Sequence, residues 1–183
     1  MAQKWSMARC FACKTKSVWR RDTLIFPSSS LAPLAHADMP DDVRELYDEA
    51  ALVVGLSRRA GAALARASLE RLLKGLDVDA PPKASLDEYI ARVSGRVSSP
   101  LLMMLTPVRH IGNKALHGAD DSDEIVALYL GDVEDGIVEI LFEAINSVVD
   151  ELIARPRVAR ELYERLPQAI RDDAERKAAK ARS

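Results

Sequence analysis

Apolar residues recur at helical spacing along most of the chain. Val43, Leu46, Tyr47, Ala50, Ala51 and Val54 fall three or four positions apart behind Asp41 and Asp42, and Gly55 follows them. Acids in a first turn oppose the positive end of the helix dipole, so this stretch reads as a helix opening near Pro40. Ser57 then stands as an N-cap for a helix over 58–75 with Gly75 as its stop. Its expected inner face is Ala60, Ala63, Leu64, Ala67, Leu72 and Leu73. Ser85-Leu-Asp-Glu88 fits a capping box and opens a helix over 86–94. Ser99 with Pro100 at the first helical position starts the next helix. Pro107 is expected to kink or split that helix, because it lacks an amide donor and its ring crowds the preceding turn; the second piece would run to His117 before Gly118.

Beyond an acidic loop at Asp120–Glu124, the pattern over Ile125–Leu130 leaves strand and helix both open. Val133–Ala154 is the longest apolar-periodic segment and reads as the central helix, ended by Arg155-Pro156. A short helix over Val158–Arg165 and a charged, Ala-rich, exposed helical tail after Pro167 complete the chain. The fold class is all-α, a bundle of about six helices.

Residues 1–37 depart from this pattern. Trp5–Cys10, Ser17-Val-Trp19 and Leu24-Ile-Phe26 read as short strands around a cysteine turn, and Pro27, Ser28–Ser30 and Pro33 as a linker. The chain therefore divides into a CxxC β-hairpin with an extended arm (1–37) and a helical domain (38–183). Cys10 and Cys13 admit three readings: a reduced surface pair, a redox pair, or half of a structural zinc site. A zinc ion wants four ligands, which His36 or a second subunit would have to complete.

Composition narrows the function classes. With 26 Lys and Arg against 28 Asp and Glu, there is no global basic excess of the kind that marks a nonspecific nucleic-acid binder; a polyanion would meet a local patch. Lys4, Arg9, Lys14, Lys16, Arg20 and Arg21 all precede the first acid, Asp22. A transit peptide can look like that, but the Cys pair and two Trp residues argue against one. The apolar runs are too short to span a bilayer, so no membrane partner is expected and the protein reads as cytoplasmic. P-loop and dinucleotide-binding glycine patterns are absent from the sequence.

Two of the three histidines fall within Arg109-His-Ile-Gly-Asn-Lys-Ala-Leu-His117. On a helix, Arg109, Asn113 and His117 lie at i, i+4 and i+8, along one face, with His110 and His117 nearly aligned. A guanidinium binds phosphate bidentately, an imidazole exchanges protons near neutral pH, and a carboxamide orients either. The four make a candidate catalytic set for metal-independent RNA cleavage by the 2′-hydroxyl. The competing structural reading gives Asn113 and His117 to helix capping and Arg109 to an acid of the 120–124 loop.

The run Arg109–Gly118 resembles the signature of domain-of-unknown-function family 4145. Asp38-Met-Pro-Asp-Asp42, Tyr47-Asp-Glu-Ala50, Ser57-Arg-Arg-Ala60 with Arg66 and Glu70, Asn146, and Ala154-Arg-Pro156 running to Leu162–Pro167 are similar to that family as well. So is the N-terminal CxxC with Trp19 and Pro27. The resemblance implies an HEPN-like helical bundle. It also implies a dimer that brings two Arg/His motifs together on RNA, in a prokaryotic defence, toxin or restriction context. The alternative it leaves is a non-catalytic binding or dimerisation module partnering a restriction or defence enzyme. No cofactor is implied for catalysis.

Overall fold

The structure, a computed structural model, describes residues 4–26, 32–117 and 137–182; the side chains of residues 109–117, 137–138 and 181–182 lie outside that description. The N-terminal segment forms three antiparallel strands, β1 (Trp5–Arg9), β2 (Lys16–Arg20) and β3 (Thr23–Phe26), in the order β1-β2-β3. It is thus a meander, one strand longer than a hairpin. Trp5 pairs with Arg20, Met7 with Val18 and Arg9 with Lys16; between Val18 and Trp19 the β2–β3 register slips, so that Phe26 faces Val18.

The helices are α1 (Asp41–Val54), α2 (Arg58–Leu76), α3 (Leu86–Val93), α4 (Ser99–His117), α5 (Ile137–Val149), α6 (Arg155–Glu164) and α7 (Gln168–Arg182). A single π turn, Asp150–Ala154, joins α5 to α6 without a break. The described residues therefore hold six helical runs beside the small sheet, in agreement with the expected mostly helical class. Gly118, the acidic loop Asp120–Glu124, Ile125–Leu130, the start of the central helix at Val133, and Pro27 with Ser28–Ser30 lie outside the described residues.

The local chemistry explains these boundaries. Ser85 and Glu88 form both halves of the capping box at α3. Ser57 accepts from the Ala60 amide at the start of α2. Three expectations about helix ends fail: Gly75 does not stop α2, which runs on to Leu76 with Asp77 as its C-cap. Ser98, not Ser99, caps α4, accepting from the Leu101 amide at 3.4 Å. Arg155-Pro156 does not end the central helix: the Arg155 amide bonds back to Asp150 O, a π-type step, and the chain continues. The widened turn carries the chain past a residue that has no amide to donate, and Pro156 then occupies the opening positions of α6, where proline is tolerated.

The core is aliphatic, centred on Leu69, Leu72, Leu73, Leu105 and Ile145, with Tyr47 and Phe142 packed edge-to-face at 5.1 Å between ring centroids. The inner face of α2 differs from the expected one. Gly61, Ala62, Ala65, Ser68, Leu69, Leu72 and Leu73 are buried, whereas Ala60 and Ala67 are exposed. The reason is Gly61. A Cβ there would sit 2.6 Å from Val54 Cα, so the backbones of α1 and α2 meet at this residue and turn the helix about it. The Ala-rich sequence offers two faces of similar hydrophobicity, and the close approach selects one.

Residues 32–39 belong physically to the bundle. Asn146 of α5 accepts the His36 amide (2.9 Å) through Oδ1 and donates through Nδ2 to Leu34 O (2.9 Å) and the Tyr47 hydroxyl oxygen (3.1 Å). Tyr47 donates to Pro33 O at 2.8 Å, and Arg44 donates to the carbonyls of His36 and Ala37. Burial pushes the Tyr47 phenol above its ordinary range, so it acts as a neutral hydroxyl in this knot.

Candidate functional site

Helix α4 carries the candidate catalytic set, and both of its ends bear on it. At the N-terminus, Ser98 donates its amide and its hydroxyl to Glu151, each at 2.6 Å. Glu151 projects from the π turn. A carboxylate at this end of a helix opposes the dipole and accepts otherwise unpaired donors. The Ser98 hydroxyl, more than any other group, holds the Glu151 carboxyl below the usual range. Along its length α4 packs on α2, α3 and α5, and its inward stripe is Leu101, Leu105 and Val108, all buried.

Pro107 does not split the helix: α4 runs unbroken from Ser99 to His117. The turn before it is stitched by Thr106, whose hydroxyl donates to Leu102 O at 3.0 Å. Since the helix is single, its register holds across the proline. At about 100° per residue, Gly112 falls in line with the buried stripe, whereas the backbone positions of Arg109, Asn113 and His117 are displaced from it and His110 is diametrically opposite. The structure places all four expected catalytic residues in the last turns of one helix; their side chains lie outside the described portion.

Cys10 and Cys13, the expected metal ligands, lie at the β1–β2 turn, both exposed and both free thiols. Cys10 donates its amide to Thr15 O and accepts at its carbonyl from the Lys14 amide, which closes the turn; Lys14 takes a left-handed φ of 60°. The Cys13 thiol is pulled down from 9.0 to about 7, first by the Thr15 hydroxyl, then by the Thr15 amide and the Cys10 thiol. His36 does not join them. It sits in the arm on the bundle, its Nδ1 accepting from the Asp38 amide at 3.0 Å, and among the described residues no group of three or more potential ligands forms. The donors suit zinc in kind, but one chain's described residues supply two of the four.

Sequence reasoning missed Glu151 as the cap of α4 and Asn146 as the pin for the arm. The signal for Asn146 is visible afterwards: a carboxamide within the apolar run Ile137–Val149 must find partners when the helix is buried. Glu151 had no comparable signal, because a π turn sets its direction.

No protein-family model matches the chain, and neither a curated protein nor a solved structure does. No described helix is long and apolar enough to cross a membrane.

Proposed function

We propose that this protein is an RNA-facing, HEPN-like effector of the kind family 4145 resembles, and that the C-terminal turns of α4 cleave RNA without a metal. The observation that supports the reading is the unbroken register of α4, which keeps Arg109, Asn113 and His117 on successive turns and off the buried stripe. In the reaction, a ribose 2′-hydroxyl attacks the adjacent phosphorus and the bond to the 5′-oxygen breaks. One imidazole, from His110 or His117, takes the 2′-hydroxyl proton, and a protonated imidazole returns one to the leaving oxygen. Arg109 binds the phosphate and offsets the charge that grows on it, and Asn113 orients the pair. The products are a 2′,3′-cyclic phosphate and a 5′-hydroxyl. A homodimer, which supplies a second copy of the motif, and a defence or restriction setting with its own protein partner complete the reading.

The test is incubation of the intact protein with single-stranded RNA in excess chelator. Cyclic-phosphate ends, abolished in His117→Ala, are expected. RNA left whole by the native protein, or cut equally well by His117→Ala, overturns the catalytic assignment and leaves a non-catalytic binding module.

For the thiol pair we propose a structural zinc site completed by Cys10 and Cys13 of a second copy. Metal analysis of purified protein is expected to give one zinc per two chains, with Cys10→Ser losing both zinc and dimer; a metal-free native dimer overturns it.

A further inference from the structure

We infer that one face of the N-terminal sheet is a docking platform for single-stranded RNA. The pairing register puts alternate residues of β1 and β2 on the same side: Trp5, Met7 and Arg9 face with Arg20, Val18 and Lys16, and Phe26 of β3 joins them opposite Val18. Trp5, Met7 and Phe26 are 54%, 82% and 55% exposed, and Arg9, Lys16 and Arg20 are exposed too. The other side carries no cation within the paired residues of β1 and β2, which there are Ser6, Ala8, Ser17 and Trp19; Lys4 and Arg21 lie beyond the end of that pairing. A strand face is ordinarily apolar toward a core or polar toward water; this one alternates large apolar and cationic groups and covers nothing among the described residues.

Charge decides the occupant. Residues 4–26 hold six of the 26 Lys and Arg and one of the 28 Asp and Glu, so a cationic module sits on an otherwise acidic chain. Arg9 and Lys16 stand directly opposite each other, a like-charge pair that opposes folding of the sheet. Among the described residues no carboxylate pairs with Arg9, Lys16 or Arg20. A flexible polyanion relieves that repulsion, and its bases find aromatic surfaces on which to stack, the two requirements of single-strand recognition. A duplex, whose bases are already stacked, gains the first and not the second. The choice of RNA rests on the proposed function; the binding itself is read without cleavage.

The experiment titrates the full-length protein into a fluorescent, uncleavable 2′-O-methyl RNA strand, with a DNA strand and an RNA duplex of the same sequence alongside. Three neutralised phosphates on a single strand give a log–log salt slope of about −2, or roughly twentyfold weaker binding between about 50 and 200 mM salt. Arg9→Glu with Lys16→Glu and Arg20→Glu is expected to weaken binding more than tenfold. Trp5→Ala weakens it roughly fivefold or more with the slope unchanged. Ser6→Glu with Ala8→Glu, on the opposite face, changes it less than twofold. Tighter binding of DNA than of RNA reassigns the strand and overturns the RNA assignment. Equal binding of duplex, equal loss from charge on either face, or no binding by the native chain overturns the platform. So does a protein whose self-association, rather than RNA binding, is lost in the triple variant, since the face then meets the acidic body of a second copy. Circular dichroism of the helices checks each variant.

Discussion

In the bundle, Tyr47, Leu69 and Phe142 are fully enclosed, whereas in the sheet Trp5, Met7 and Phe26 stand more than half exposed and Trp19 is only half-buried. Among the described residues, 24 apolar side chains of the bundle are buried in one cluster. In the sheet no described residue is buried, and its strands are held by their hydrogen-bond ladders and by two turns in which Lys14 and Arg21 take left-handed φ values of 60° and 55°. Each costs about 1 kcal/mol or more for a residue with a Cβ. The comparison separates two sources of order. Burial of apolar surface gives the bundle a core of its own. A sheet of this size without a core needs a metal, a ligand or a partner to be stable.

The comparison is broken most directly from inside the bundle. Leu69→Ala removes a fully buried side chain at the α2 face and is expected to cost about 3–5 kcal/mol, cavity included. Urea unfolding followed by helical circular dichroism reads it. A loss below about 1 kcal/mol would mean that the bundle, like the sheet, does not owe its order to burial.

Asn146→Ala sharpens the boundary between the two regions. It leaves the His36 amide, Leu34 O and the Tyr47 hydroxyl without their partner and is expected to cost about 1–3 kcal/mol. The loss should be local, with the arm at 32–37 cut faster by protease while α2 and α4 keep their amide protection. Uniformly faster exchange throughout would show instead that the arm is integral to the core.

The same division runs through what could be read from the residues. Helix α1, the capping box of α3 and the strands around the cysteine turn were legible because short-range chemistry specifies them: acids ahead of an apolar period, Ser85 with Glu88, β-branched and aromatic runs beside turns. The inner face of α2 was not, because the close contact of Gly61 with Val54 decides between two equivalent Ala faces. At Pro107 the sequence left a kink and a split both open, and the continuity of the central helix through Pro156 was not legible. Packing on α2, α3 and α5 supports α4 through the first proline, and a π turn accommodates the second. Of the candidate site, helical spacing made the stripe Arg109–Asn113–His117 visible, whereas the carboxylate that anchors the far end of that helix comes from a turn with no sequence signature.

Glu151→Gln tests that anchor with a smaller effect, at most about 1 kcal/mol because solvent screens the pair. The folded carboxyl is held below its ordinary range by Ser98, so its contribution is present above the unfolded carboxylate pKa and fades as pH falls through the folded one. Urea midpoints of the native and Gln proteins should therefore differ at neutral pH and converge as the solution is acidified below the ordinary carboxylate range. A constant difference at every pH would assign the effect to shape, not charge.

The smallest effect belongs to the sheet and is read as reactivity. Folding lowers the Cys13 thiol from 9.0 to about 7, so the thiolate's stabilisation of the turn is fully present above pH 9.0 and is lost as pH falls through about 7. In metal-free protein, alkylation of Cys13 should rise with a midpoint near 7, move toward 9.0 in urea, and move up in native Thr15→Val, which lacks the hydroxyl that contributes most. A midpoint indifferent to urea would mean that the turn does not position its donors in solution. Bundle ellipticity should stay flat over the same pH interval, since Tyr47 there remains protonated throughout. If instead the helices respond as Cys13 titrates, the sheet and the bundle are energetically coupled and their separation by source of order fails.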